Sequence, residues 1–417
     1  MGKQILRTRG KQRSLGDVTE TQQTMIKLVA RQLFGAESEC SPEADWPAIL
    51  SEAQAQAVFS LVFSYAERVM PESEEKSKLI QRKFRFSAEN IRNLHYHVEL
   101  HRFLESHDIP YVILKGQASS MYYPDPMLRE MGDVDFLVRK EDMQKVDQLL
   151  VKEGFQKLDH AEKNEHHWAY HRGREHWELH WEAPGVPKNN HVVESFLSNI
   201  IEKREWVQTN EGGFFVPSSF HHGLVILLHM VNHMIGESIG IRHLCDWLVF
   251  ENHLSEEDFI KTFAEPLQEI GLWTFAKVIT QIGILYFGCD SRSWCQDVES
   301  SLCEELLEDI IRGGNFGRKN PSRMTQRELI QHKRDRKITK GSLLRNGLGN
   351  IHEKAKRDFP FCKKIPLLFP VGWVLVVARY YFKVFAGKRK NVVNITVYND
   401  AVRRQKLYAK LNLFKQD

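Results

Sequence analysis

The sequence has few cysteines, and their spacing forms no metal-binding pair. The six cysteines, at positions 40, 245, 289, 295, 303 and 362, include no two that are separated by two residues. Neither a zinc site nor a disulfide framework is therefore indicated, and reduced thiols are typical of the cytoplasm. The first fifteen residues are basic and polar, without the apolar stretch of a secretory signal. We therefore expect a cytoplasmic protein, with peripheral attachment to a membrane left open.

Long apolar runs are also missing from the sequence. The run Pro366 to Ala378 has thirteen residues and is interrupted by Pro370 and Gly372, whereas crossing a bilayer takes about 20 apolar residues. Basic residues flank the run on both sides. The pattern predicts either a buried helix or an anchor that lies in a membrane interface, and burial is the preferred interpretation.

Charge is distributed unevenly along the chain. Residues 313–417 contain 25 Lys and Arg against 6 Asp and Glu, a net charge of +19, which leaves about −15 for the other residues. Such a basic segment contacts nucleic acid or an anionic membrane surface, or packs on an acidic part of its own chain. The last arrangement is the commonest. Weak contact of the basic C-terminal region with nucleic acid or a membrane surface stays open.

Helical and strand-like patterns alternate in blocks. Apolar spacing predicts helices at 24–34, 46–69 and 77–106, short strands to about residue 215, and further helices at 223–235, 241–253, 256–270, 273–287 and 300–311. The blocks predict five regions: a disordered basic arm (1–20), an N-terminal helical region (21–107), an α/β core (108–215), a helical domain (216–320) and a basic C-terminal region (321–417). No internal repeat of fixed period is present.

Two carboxylates lie one residue apart in a strand-like run, residues 132–138 (GDVDFLV). Alternation along a strand points Asp133 and Asp135 to one face and the intervening apolar residues to the other. Like charges this close repel each other, and Mg²⁺, which prefers carboxylate and phosphate oxygens, is the natural counter-ion. A bare Asp-x-Asp on a polar edge strand is a weak motif, so the interpretation depends on the neighbouring residues.

A second apolar run, residues 111–114, ends in Lys115-Gly116 and precedes a short helix-compatible segment. A glycine between a strand and a helix brings backbone N–H groups together in a way that suits phosphate. Arg129 precedes the carboxylate strand, so basic, acidic and glycine residues fall within 21 positions. Together with the acids, these residues indicate an enzyme that handles a nucleotide and a metal ion. We expect Lys115, Gly116, Arg129 and Gly132 to bind that nucleotide.

A third acid is expected from residues 176–181 (HWELHW). On a strand, Glu178 and His180 share one face and the aromatic and aliphatic residues share the other, so one face is core and the other is available for chemistry. With Asp133 and Asp135, Glu178 is the candidate third metal ligand. Alternatively, Glu178 is the base that takes the proton from the hydroxyl group of an acceptor substrate. The alternative is an acid that faces solvent on an edge strand. His180 is expected only to line the cleft.

These motifs resemble those of the uncharacterised nucleotidyltransferases of the polymerase-β-like superfamily. The resemblance rests on LKG (114–116), YPDP (123–126), Arg129, GDVD (132–135), ELHW (178–181), LHMVNH (228–233), RHLCD (242–246) and GGNFG (313–317). It implies an α+β fold, with a small mixed-sheet core flanked by N-terminal and C-terminal helical regions. It also implies two Mg²⁺ ions and a nucleoside triphosphate such as ATP. Gln117 stands where the wider superfamily has Ser after the glycine.

The implied activity is transfer of a nucleoside monophosphate from a nucleoside triphosphate to an unidentified hydroxyl or phosphate acceptor. Asp133, Asp135 and Glu178 would then be catalytic and would bind the metal ions. The alternative is a non-catalytic module with the same fold, which contacts nucleic acid or an anionic membrane surface through its basic C-terminal region. Retention of three costly acids favours the enzyme.

Polar residues on the later helices are candidates for the edge of the pocket. His229 and His233 share a helix face, but the residue after the first histidine is methionine and not the glutamate of a zinc protease. With Arg242, Asp246 and His180, these two histidines either border the nucleotide or acceptor pocket or pack as structural residues. The structural interpretation is the preferred one.

Two further motifs carry weaker signals. The run 313–317 (GGNFG) lacks the Lys and Ser or Thr of a phosphate-binding loop and predicts a turn after a helix. Histidines at 166, 167, 171 and 176 alternate with aromatic residues. This alternation predicts a polar hairpin in preference to a transition-metal site.

Overall fold

A computed structural model describes residues 18–158, 167–187, 189–324, 326, 340–385 and 395–414 of the chain. Its α-helices are α1 (Glu20–Phe34), α2 (Trp46–Ala55), α3 (Phe59–Val69), α4 (Glu74–Glu105), α5 (Gln117–Ser120), α6 (Met143–Lys152), α7 (His191–Leu197), α8 (Ser219–Gly236), α9 (Ile241–His253), α10 (Glu256–Glu269), α11 (Trp273–Ile282), α12 (Ser300–Gly313), α13 (Lys340–Asp358), α14 (Pro360–Lys364), α15 (Phe369–Phe385) and α16 (Ile395–Lys410). Its strands are β1 (Tyr111–Ile113), β2 (Val134–Val138), β3 (Gln156–Lys157), β4 (His167–Arg172), β5 (Glu175–His180), β6 (Glu205–Thr209) and β7 (Gly212–Val216). The predicted arm lies outside the described residues except for its last three.

Five strands form one mixed sheet in the order β1-β2-β5-β4-β3. β2 and β5 run parallel, and the other neighbouring pairs are antiparallel. β6 and β7 form a separate antiparallel hairpin. A small mixed sheet among many helices confirms the predicted α+β class. The predicted boundaries of the five regions stay predictions.

The sheet separates two hydrophobic cores. One core joins Ile113, Phe136 and Leu179 to apolar residues of α4 and α6. The other joins Val112 and Leu137, on the opposite face, to the helices α1–α3 and α8–α12. Because side chains alternate along a strand, the face of β2 that carries Leu137 also carries Asp135, so the acids face the helical part of the molecule.

The predicted helix 46–69 is two helices, α2 and α3. The chain turns at Ala57, which has a φ of +57°. Gln56 before it is fully buried; its Nε2 donates to the carbonyl of Ile311 and its Oε1 accepts from the N–H of Ile241. Apolar periodicity continues through this turn, which explains why spacing alone predicted a single helix.

The C-terminal region divides between a packed part and an exposed part. α16 packs on α12, where buried Arg404 lies 3.7 Å from Asp309 and donates to the carbonyl of Met234. α13 and α15 pack against each other. The outer face of α15 is exposed, so the preferred interpretation of 366–378 as a buried segment was wrong. Among the described residues, the helices are too short or too polar to cross a bilayer.

Candidate functional site

Parallel pairing of β2 and β5 brings the predicted acids to one side of the sheet. In the register Asp135 lies opposite Glu178, and Leu137 lies opposite His180. Asp133 immediately precedes β2 and lies close enough to Asp135 and Glu178 for their charges to act on it. The intervening apolar residues fill the core on the opposite face.

Asp135 is the centre of a hydrogen-bonded group of charges. Its Oδ1 lies 2.7 Å from Nζ of Lys115 and 3.1 Å from Nε2 of His180, and His180 Nε2 is also 3.4 Å from Oε2 of Glu178. Burial opposes ionisation of Asp135, but Lys115 and His180 outweigh it and hold the pKa of Asp135 well below its usual range. Burial also opposes the charged form of His180, yet its hydrogen bonds to the two acids raise the pKa of His180.

Three side chains of this group are placed to hold one metal ion. Single ligand atoms of Asp135, Glu178 and His180 all lie within 4.8 Å of one another. The sequence had placed Asp133 in this set and had given His180 only a lining role. The signal for His180 was its position two residues after Glu178 on the same strand, which puts both side chains on one face.

Asp133 lies beside the ligand set. Partial burial and the negative charges of Glu178 and Asp135 raise the pKa of Asp133 to about 6, and the positive charges of His176 and Lys115 offset part of this effect. Burial and the neighbouring carboxylates therefore both disfavour the ionised form of Asp133. A bound cation would supply positive charge here, so the donor set fits a divalent metal ion.

The Lys115-Gly116 turn is held against the acidic strand. The N–H of Leu114 donates to the carbonyl of Asp135 at 3.0 Å. Gly116 then adopts a φ of +62°, which glycine reaches without the steric cost that a side chain would carry. The helix that follows, α5, is a single turn of four residues. The predicted helix-end contribution to phosphate binding is therefore small, and Lys115 remains as the charged group at the turn.

Two asparagines of α4 fix the segment that leads into β2. Nδ2 of Asn90 donates to the carbonyls of Met127 and Arg129, and Nδ2 of Asn93 donates to the carbonyl of Gly132 at 2.7 Å. Both asparagines are buried. These asparagines could not be identified from the sequence, because a polar residue in a helix does not reveal to which distant carbonyl it donates a hydrogen bond.

Arg129 has a protein partner where a phosphate had been predicted. Its Nε and one terminal nitrogen donate to the two carboxylate oxygens of Asp246, both at 2.8 Å, and Tyr123 donates to Asp246 as well. Burial raises the pKa of Tyr123 well above its usual value, and Arg129 outweighs burial to lower the pKa of Asp246. Arg129 is only 5% exposed. The pair joins the segment before β2 to α9.

A second polar group, the histidine pocket, comprises His229, His233, Arg242, His243 and Phe316. The ring centroids of His229 and His233 are 4.3 Å apart, and those of His229 and His243 are 5.5 Å apart. The ring of Phe316 lies 4.8 Å from His233 and 5.3 Å from His243. The guanidinium of Arg242 lies 5.5 Å from the same phenylalanine ring.

Several nitrogens of the histidine pocket are buried without a partner. Among the described residues, nothing hydrogen-bonds to Nδ1 of His229, Nε2 of His243 or Nε of Arg242. Nδ1 of His243 accepts from the N–H of Gly240, so the proton of the neutral ring is on Nε2. Burial and the nearby positive charges of Lys115 and Arg242 lower the pKa of both histidines well below the usual value. Such unsatisfied donors favour an acceptor-rich ligand.

His243 and Phe316 were missed by the sequence analysis. Both belong to motifs that it quoted, at 242–246 and 313–317, but the second motif was interpreted only as a turn. It is a turn, in which Phe316 has a φ of +53°. Its contact with the histidines depends on how the end of α12 and this turn pack on the segment between α8 and α9, where Gly240 lies against Asn315, and local sequence does not specify that.

A cavity of about 420 Å³ lies at the carboxyl ends of β2 and β5. Leu137 and Trp181 contribute to its wall, and Arg139 and Glu182 are among the charged residues that line it. Leu137 is on the face of β2 that carries the acids. The cavity therefore lies at the ends of the two strands that carry the acids, and Asp135, Glu178 and His180 are not part of its wall.

The sequence model of the uncharacterised nucleotidyltransferase family matches residues 42–287. This range is more than half of the chain and includes both groups of residues described above, apart from Phe316. The chain therefore belongs to the uncharacterised nucleotidyltransferase family, as the motifs predicted. No curated protein matches the chain. Family membership supports a transferase that uses a nucleotide, and the acidic cluster is compatible with metal binding.

Proposed function

We propose that the protein is a Mg²⁺-dependent nucleotidyltransferase, which transfers a nucleoside monophosphate from a nucleoside triphosphate to a hydroxyl or phosphate acceptor. The observation that carries this proposal is the register of β2 and β5, in which Asp135 lies opposite Glu178 and Leu137 lies opposite His180. Alternation along the strands then supports a shared polar face for Asp135, Glu178 and His180. Nucleoside triphosphates and Mg²⁺ are abundant in the cytoplasm, where we expect the protein to act.

We expect two Mg²⁺ ions, which would be held by Asp133, Asp135 and Glu178. His180 lies close enough to Asp135 and Glu178 to contribute a ligand atom. Carboxylate oxygens are the ligands that Mg²⁺ prefers, and burial with the neighbouring charges of Glu178 and Asp135 raises the pKa of Asp133. When bound, the metal would offset charge on the phosphates and on the acceptor oxygen.

Lys115 and the histidine pocket are suited to the phosphates. Lys115 stands at the glycine turn beside Asp135, and its charge acts on both His229 and His243. The unpartnered N–H of His243 and Nε of Arg242 are donors for phosphate oxygens. Because Gly116 and Gly132 have no side chains, they would allow the phosphates to approach the backbone closely. Arg129 is reassigned from phosphate binding to support, because Asp246 occupies its guanidinium.

In the reaction the acceptor oxygen forms a bond with the α-phosphorus, and the bond between that phosphorus and the oxygen of the β-phosphate breaks. Pyrophosphate leaves with the bonding electron pair, and a hydroxyl acceptor gives up its proton. Glu178 has two alternative roles, third metal ligand or the base that receives this proton, and it suits the second because it is less buried than Asp135 and faces the same side. The cavity beside Leu137 is the proposed acceptor site.

The experiment is binding and turnover of each of the four nucleoside triphosphates, with and without Mg²⁺, measured by calorimetry and by pyrophosphate release. Binding in the wild type and loss of Mg²⁺-dependent binding in Asp135→Asn are expected. Asp142→Asn is the matched control, since Asp142 caps α6 in the same core without a side-chain capping bond.

Absence of Mg²⁺-dependent binding for all four nucleotides would overturn the proposal. That result would favour the second candidate, a non-catalytic binding module of the same fold. Equal loss in Asp135→Asn and Asp142→Asn would also contradict it, because the effect would then not depend on the acidic face.

A further inference from the structure

The hairpin of α13 and α15 exposes an apolar surface that is unusual for a folded domain. Its most exposed large side chains are Leu367 (89%), Phe382 (72%) and Val374 (66%). Val371, Trp373, Leu375, Val377 and Tyr381 are also 37% to 50% exposed. Contiguous apolar surface of this kind marks an interaction site.

The exposed residues form one continuous face of α15. One side of the helix packs on α13, where a Cβ at Gly372 would lie 3.2 Å from Cβ of Ala355. On the opposite side Val371, Val374, Ala378 and Phe382 follow one another at intervals of three and four residues, and all are exposed. A surface helix in a soluble protein turns its polar side outward. Here the outward side is apolar.

Basic residues surround this apolar face. Lys363 and Lys364 are exposed just before it, and the exposed Arg379 lies near its carboxyl end. Between residues 363 and 390 the sequence contains seven Lys or Arg and no Asp or Glu. An apolar face with basic flanks complements an anionic bilayer, where apolar side chains enter the acyl boundary and basic groups meet lipid headgroups.

We propose that the α13–α15 hairpin attaches the protein to the surface of an anionic membrane, with the outward face of α15 lying in the interface. Trp373, whose indole N–H points to His352 at 3.4 Å, and the tyrosines that follow suit the headgroup depth. The charge pattern decides between occupants, because a purely apolar partner would not need the basic flanks, whereas nucleic acid would not need the apolar face. This inference is independent of the proposed catalytic activity.

The test is flotation of the full-length protein with vesicles of neutral phosphatidylcholine, alone or with 30% phosphatidylserine. We expect most of the wild type to float with the anionic vesicles and little with the neutral ones. Val374→Asp combined with Phe382→Asp should reduce flotation at least tenfold. Val151→Asp is the matched control, because Val151 is a similarly exposed valine (54%) on α6 and should float like the wild type.

A second measurement keeps the inference testable if the double variant folds poorly. Brominated lipid should quench Trp fluorescence of the wild type more than that of Trp373→Phe, whose fold can be checked by its thermal transition. Flotation that is unchanged in the double variant would overturn the proposal. A wild-type protein that does not bind vesicles but forms a dimer, which the double variant no longer forms, would also overturn it. So would a protein that does not bind vesicles but binds RNA equally well with and without the aspartate substitutions.

Discussion

The ammonium of Lys115 lies 2.7 Å from Oδ1 of Asp135, inside the group of acids on the sheet. It therefore provides one positive charge at the place where phosphates and a metal ion are expected. Lys115→Met should weaken triphosphate binding by about 100-fold, the scale on which single charge-stabilising groups act in such sites. Calorimetric titration with ATP and Mg²⁺ measures this effect. Lys152→Met, which removes an exposed lysine at the end of α6 and away from the cavity, should bind like the wild type.

Asp133 and Asp135 should respond oppositely to replacement by asparagine. The pKa of Asp133 is raised, so its ionised form is disfavoured in the folded state, and Asp133→Asn should raise the melting temperature at pH 7.5 without metal. The pKa of Asp135 is lowered by Lys115 and His180, so Asp135→Asn should lose about 2 kcal/mol of unfolding free energy. Shifts of the same sign for both variants would contradict this assignment.

The stabilisation from Asp133→Asn should depend on pH. The folded protein holds the proton of Asp133 up to about pH 6, whereas the unfolded chain releases it near its ordinary value. The wild type therefore loses stability relative to the variant as pH rises from 4 to 6, and the difference is constant above that range. Thermal denaturation of both proteins between pH 4.5 and 7.5 measures the effect, with Asp142→Asn as the control that should show no such change.

Arg129→Met should destabilise the fold by about 3 kcal/mol or more, because it leaves the carboxylate of Asp246 buried without its partner. Arg129→Lys should also be destabilising, since lysine does not reproduce the two parallel N–H bonds. Urea denaturation measures both. Arg139→Met breaks an exposed pair with Glu202 and should have a much smaller effect. A stable Arg129→Met protein with impaired nucleotide binding would restore the phosphate role that the sequence had suggested.

The histidine pocket should bind inorganic tripolyphosphate. His243→Phe removes a donor that has no protein partner among the described residues and should weaken that binding at least tenfold. Arg242→Gln removes the unpartnered Nε and should have a similar effect; it also removes the hydrogen bond from a terminal nitrogen to the carbonyl of Glu130. His221→Phe is the comparison, because His221 is equally buried but both its ring nitrogens have hydrogen-bond partners, Ser218 and Asn199. Equal effects of His221→Phe and His243→Phe would show that burial, and not the unpartnered donor, accounts for the loss.

The fold class and the acidic pair followed from the sequence because both depend on local pattern. Two acids in an apolar strand and Glu178 with His180 on another are visible as alternation. The parallel pairing that joins them was not visible, and the role of His180 depends on it. The partner of Arg129 was not visible for the same reason: a charged residue near a motif does not reveal that it will bind Asp246, 117 positions away.

The exposed face of α15 could not be predicted either. Periodicity shows that residues 366–378 are apolar, but burial depends on whether another element covers them. The sequence alone favoured burial because apolar helices in soluble proteins are usually covered. Gly372, which lies against Ala355 of α13, marks the packed side of α15, but this contact is evident only from the structure.

The turn that carries Phe316 lies beyond residue 287, where the family match ends, yet its ring closes the pocket formed by His233 and His243. Lys319 likewise reaches back to Glu52 at 2.7 Å. A recombinant fragment of residues 42–287, the range of the family match, would lack this turn and would thus expose the histidine pocket to water. It would also lack α12 and would expose the apolar surface of α11 that packs on α12. Expression for crystallisation or screening should use a chain that extends at least through α12 and this turn.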